Sequence, residues 1–124
     1  MHPPQVSSET PPAKPAFSDI QLAKMRVLAT KYLEELRLLD AIVDQWAIEN
    51  NPLEGSKPKS ADIARYLKPG TRLNRTLARG ECVDLLGNKF EIHAVGGVPK
   101  MPQKSWEYFS GVIRDDYWHD YLPS

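Results

Sequence analysis

The sequence predicts an α+β fold: a long N-terminal amphipathic helix packed on a small antiparallel β-hairpin sheet, with two short helices beside it. Three features predict this. Apolar residues run from Leu22 to Trp46 in an unbroken 3-4 spacing. Two short apolar arms flank the dipeptide Gly87-Asn88, which tolerates positive φ and so favours a hairpin. Elsewhere Pro69, Gly70, Gly96, Gly97, Pro99, Pro102 and Gly111 leave room only for short elements.

Residues 1–17 hold Pro3, Pro4, Pro11, Pro12 and Pro15 among polar residues. Proline fixes φ and removes backbone donors, so this stretch reads as a disordered or polyproline-like lead-in. A single domain is expected over residues 18–124, with the long helix at 18–51 and the globular part at 52–124. Ser18 and Asp19 are capping types, and no Pro or Gly recurs until Pro52. Leu22, Met25, Ala29, Tyr32, Leu36, Leu39, Val43 and Trp46 form the seam, widened by Leu28, Leu33, Leu38 and Ile42. Some 33 residues at about 1.5 Å each make a helix of roughly 50 Å. A compact chain of this size is only about 35 Å across, so one end should project or be covered by a partner. The N-terminal part of the seam, Leu22, Met25, Ala29, Tyr32 and Leu36, is therefore the expected interface. Its C-terminal part is the expected core.

Asn50 to Gly55 end the helix. Ser60 can cap a short helix over Ala61 to Leu67, stopped by Pro69 and Gly70. Thr71 to Arg79 is ambiguous, because Leu73 and Leu77 supply little core for a helix that would carry Arg72, Arg75 and Arg79 on one face. The hairpin arms are Cys82 to Leu85 and Lys89 to Val95, the second alternating Phe90, Ile92 and Ala94 with Glu91 and His93. Pro102 can start the last helix, Gln103 to Ser110, with Gly111 as its stop. Six of the 11 aromatic residues fall between Trp106 and Tyr121, so the C-terminus should dock, and the long helix is the obvious surface.

The chain's 124 residues are one domain's worth, with 41% apolar residues. Sixteen basic residues balance 16 acidic ones, yet the charge is segregated. Residues 1–55 hold 5 basic and 8 acidic groups, 56–80 hold 7 and 1, and 81–124 hold 4 and 7. The basic segment, with Arg65, Lys68, Arg72, Arg75 and Arg79 and with Tyr66 among them, could follow a phosphate backbone. Pairing with the acidic flanks is the favoured reading, and nucleic acid a minor one. Cys82 is the sole cysteine, so an internal disulfide and an all-cysteine zinc site are excluded. No run approaches the roughly 18–20 apolar residues of a membrane span, and residues 1–17 hold no signal-peptide core.

Catalysis has no visible apparatus. His2, His93 and His119 show no metal-ligand spacing, and Cys82 has no neighbouring histidine to activate it. Asp115, Asp116 and Asp120 lack a calcium-loop pattern, and no phosphate loop or dinucleotide fingerprint occurs. No catalytic residue, cofactor, metal or small-molecule substrate is assigned.

Four motifs carry a resemblance. Leu36-Arg37-Leu38-Leu39-Asp40 through Gln45-Trp46-Ala47-Ile48-Glu49-Asn50-Asn51 is the first, and Ala61-Asp62-Ile63-Ala64-Arg65-Tyr66-Leu67-Lys68-Pro69-Gly70-Thr71 the second. Asp84-Leu85-Leu86-Gly87-Asn88-Lys89-Phe90 and Asp116-Tyr117-Trp118-His119-Asp120-Tyr121 complete the set. In this order they resemble segments of type IV pilins and type II secretion pseudopilins, over roughly residues 33–121. The resemblance implies a pilin-like globular part without its N-terminal membrane anchor, since no "GFTLIE"-like processing motif occurs and Pro15 would interrupt a helix running upstream. It implies a non-enzymatic structural or assembly subunit, self-associating or joining other pilin-like subunits through the long helix. The location would be periplasmic or cell-surface if an anchor was removed, and cytoplasmic if the chain is complete. The alternatives are a soluble helix-mediated adaptor and, behind it, a nucleic-acid-binding module using residues 57–79.

Overall fold

The computed structural model describes residues 17–124. Their elements are α1 (Asp19–Asn50), α2 (Ser60–Ala64), α3 (Arg72–Ala78), α4 (Gln103–Phe109) and a closing 3₁₀ segment (Asp115–Tyr121). The expected Pro-rich lead-in lies outside the described residues, except for Phe17.

Both ends of α1 are set by local chemistry. The Ser18 hydroxyl accepts from the Gln21 N–H at 3.1 Å, and the Gln21 side chain accepts from the Ser18 N–H at 2.8 Å. This reciprocal box satisfies two of the donors that a helix start leaves open. At the other end Asn51 turns left-handed with φ 48°, and its N–H bonds the Ala47 carbonyl at 2.8 Å. Pro52 then prevents continuation.

The seam of α1 packs in two groups. Leu39, Ile42 and Val43 meet Ile63, Ala64, Leu67, Leu73 and Leu77 from α2, its trailing turn and α3. Ala29, Tyr32, Leu33 and Leu36 meet Met101, Phe109 and Trp118. The Tyr32 ring stands edge-on to Phe109 and to Trp118, with centroids 5.8 Å away in each case. The C-terminal third thus folds back and covers the half of α1 that would otherwise project.

The β-hairpin sheet is not present: the described residues form an all-α fold with one isolated antiparallel bridge, Val83 to Lys89. Three features prevent a ladder. Upstream, residues 79–81 close the end of α3, with the Gly80 N–H on Leu77 and the Glu81 N–H on Thr76, so the first arm cannot lengthen. At the turn, the Asp84 carboxylate takes the N–H groups of Leu86 and Asn88 and closes a compact loop. Downstream, Val95 bonds Ser56 and Gly55 instead of the first arm, while Phe90, Ile92 and Val95 pack onto the core as an extended segment.

The short helices also differ from expectation. Lys59, not Ser60, occupies the cap position of α2, and the helix gives way to looser turns through Leu67. The ambiguous stretch is helical, because the Thr71 side chain caps it and both Leu73 and Leu77 are fully buried.

One backbone position is strained. His119 interrupts the closing 3₁₀ segment at φ 54°, ψ −129°, a region that side chains with a Cβ avoid. Its side chain is exposed, so His119→Gly removes the strain without opening a cavity. The expected result is a gain of about 0.5–1 kcal/mol, after the entropic cost of glycine in the unfolded chain. Chemical denaturation of the two proteins checks it; a loss of stability would show that the kink is cheap for histidine.

Candidate functional site

The most connected polar group among the described residues is the Asp84 carboxylate, 7% exposed. Its Oδ2 accepts from the Tyr32 hydroxyl at 2.5 Å and from the Ser105 hydroxyl. Its Oδ1 accepts from the backbone N–H groups of Leu86 at 3.0 Å and Asn88 at 2.8 Å. The Asn88 side-chain amide donates to the Ser105 oxygen at 2.9 Å. One carboxylate therefore ties α1, the 84–88 loop and α4 together. Burial, reinforced by the Asp84 carboxylate, pushes the Tyr32 phenol far above its ordinary pKa, so it stays a donor.

Chemically this cluster is closed. Four donors surround the carboxylate, no histidine bonds to Ser105, and an apolar wall of Leu36, Leu39, Leu73 and Met101 stands beside it. It is a structural junction. The Cys82 thiol is half-buried, and burial raises its pKa, opposite to what a nucleophile requires.

The basic patch is largely used inside the chain. Arg72 grips Glu35 with two bonds of 3.0 and 2.5 Å and adds one of 3.0 Å to the Val83 carbonyl. This part-buried pair joins α3 to α1. Arg65 lies over the Tyr66 ring at 5.0 Å and donates to its hydroxyl at 2.8 Å, and that hydroxyl donates on to Glu49. Hydrogen bonds from Gln45 and Tyr66 hold the Glu49 carboxyl below its ordinary pKa. Arg75 bonds the Gly70 carbonyl, and Arg79 pairs with Glu81 at 3.0 Å. Lys68 is exposed. Four of the five cations thus already have acceptors in their own chain, which leaves no continuous stripe of unpaired charge for phosphates.

The aspartates near the C-terminus are similarly occupied. Asp115 accepts from the Trp106 indole at 2.9 Å, and Asp116 pairs with Arg114 at 3.0 Å. Among the described residues no group of three or more His, Cys, Asp or Glu side chains could hold a metal. No helix there is long and apolar enough to cross a membrane.

Of the residues expected at an interface, Met25, Ala29, Tyr32 and Leu36 are buried by the chain's own folding, and Leu22 is half-buried. The surface of α1 that remains open is the opposite one. Directly across from the seam, Ile20, Val27, Glu34, Ala41 and Ile48 recur every seventh residue, and all five are exposed. Ile20 is 68% exposed, Val27 57% and Ile48 75%. Leu38, 46% exposed, borders the same line. Sequence reading passed over this line because its members are sparser than the seam and Glu34 interrupts it. The seven-residue interval was the signal that could have found it.

Compared with known proteins, the chain matches no family model, no curated protein and no solved structure.

Proposed function

We propose that this chain is a non-enzymatic structural or assembly subunit that acts by packing the outer face of α1 against a partner helix. The observation that carries the reading is the outer line Ile20, Val27, Ala41 and Ile48. Single exposed apolar residues are ordinary on any surface, whereas four at a fixed heptad spacing form a strip that water solvates poorly and another helix fits. The motif order shared with prepilin-type proteins supports the same class of role, a subunit in an assembly. The closed Asp84 junction and the internally paired arginines favour it over an enzyme and over a nucleic-acid module.

Site-specific photo-cross-linking in host cells tests this. A photoreactive residue in place of Val27 or Ala41 should give a discrete adduct whose cross-linked peptide maps to a helix of the partner. The same probe at Lys68 should give none. Absence of adducts from both outer-face positions would remove the reading.

A further inference from the structure

The partner is identifiable from charge. On either side of the outer apolar line, the N-terminal half of α1 carries Lys24 and Lys31, while the C-terminal half carries Asp44 and, next to Ile48, Glu49. None of Lys24, Lys31, Glu34, Arg37 and Asp44 makes an ion pair with another described residue. Beside a second copy running parallel and in register, Lys24 would meet Lys24, Lys31 would meet Lys31, and Asp44 would meet Asp44. Reversing the second copy about Glu34 changes every one of these meetings. Ile20 then lies level with Ile48 of the second copy and Val27 with Ala41, because each pair is equally distant from Glu34. Lys24 comes level with Asp44 of the second copy. At the centre two Glu34 carboxylates sit among Lys31 and Arg37 from both chains. The helix dipoles also oppose one another in this arrangement.

We propose that the chain forms an antiparallel homodimer through the outer face of α1, centred on Glu34. This names the partner helix for the function proposed above and rests on that reading. The outer line from Ile20 to Ile48 spans about 42 Å at 1.5 Å per residue, four heptads of paired helix. Glu34 in the apolar line costs affinity but sets the register, as a single polar group in such a seam does. Lys24 and Asp44 set the direction. With two alanine-sized contacts and a charged centre, the pairing is modest, with Kd on the order of 10 µM.

Sedimentation of the full chain over a concentration series measures the pairing, and Glu34→Ile is the decisive variant. It touches only exposed surface, and it should tighten the dimer by at least tenfold, since it completes the apolar line. Ile20→Asp with Ile48→Asp should abolish dimerisation while leaving the circular dichroism melt nearly unchanged. Direction is read by oxidation in a Cys82→Ala background. A mixture of Val27→Cys and Ala41→Cys single variants should form the mixed disulfide in preference to either homodisulfide. Homodisulfides in preference to the mixed one would overturn the antiparallel arrangement. A chain that stays monomeric to about 1 mM, with or without Glu34→Ile, overturns the dimer altogether. If outer-face adducts to a different protein persist in cells in that case, self-pairing fails but the assembly reading stands. If both experiments fail, both readings fall.

Discussion

Asp84→Ala should destabilise the protein by about 4 kcal/mol, because it orphans two hydroxyl and two backbone donors in a dry junction. A marginally stable chain has only about 5–15 kcal/mol in total, so the variant should be partly unfolded near body temperature. The effect should be shared by the partners. Tyr32→Phe and Ser105→Ala each remove one donor and should cost less, about 1–2 kcal/mol apiece. In an Asp84→Ala background those two changes should cost less still, since the acceptor is already gone. Denaturant midpoints for the full double-mutant cycles check this. A loss below about 1 kcal/mol for Asp84→Ala would mean that water enters and takes the carboxylate's place.

Trp118→Ala should be comparably severe, at about 3–5 kcal/mol. The indole is fully buried, stacks obliquely on Phe109 with centroids 5.0 Å apart, and meets Tyr32 edge-on. Its N–H is buried without a partner, so Trp118 stabilises by packing and shape alone. Removing it should release the closing segment and expose the Tyr32 side of α1. Hydrogen exchange should therefore accelerate over Met25–Leu36 and leave Ile42–Ala47 protected, because that part of the helix rests on the separate group around Ile63 and Leu77. Uniform acceleration along the whole helix would show that the two groups unfold as one.

The two predictions explain why the long helix has no bare projection. A 32-residue helix outruns a small globule, and the expectation was that a partner would cover the surplus. The chain covers it from within, by returning Met101, Phe109 and Trp118 along the N-terminal half. The resulting exposed surface is the back of α1, where any association must take place. That is why Met25→Asp belongs with the core variants, whereas Ile20→Asp belongs with the surface ones.

How much of this was legible in the residues differs by element. The α1 helix, its Ser18 cap and its stop near Asn51 follow from nearest-neighbour chemistry: a capping side chain, a 3.6-residue period, and a proline behind a left-handed asparagine. The docking of the aromatic tail was also readable, because so many rings cannot stay in water. The hairpin was not. Gly87-Asn88 does make a turn, but a ladder requires free backbone on both arms, and only the folded chain shows that Val95 bonds the 55–56 loop and that residues 79–81 finish a helix. The α3 helix was obscured for a related reason: Leu73 and Leu77 look too few until α1 and α2 close over them.

The candidate site divides in the same way. That the arginines from 65 to 79 would find acidic partners was inferable from segregated charge. Which carboxylate each would take was decided by the position of α3 beside α1, which sets Arg72 against Glu35 and Val83. The sequence by itself determined the helix, its ends and its heptad back, because these depend on residues within a few turns of one another. Tertiary structure alone decided the missing sheet, the Asp84 junction and which face of α1 stays in water, because each depends on groups 17 to 52 positions apart being brought together by burial.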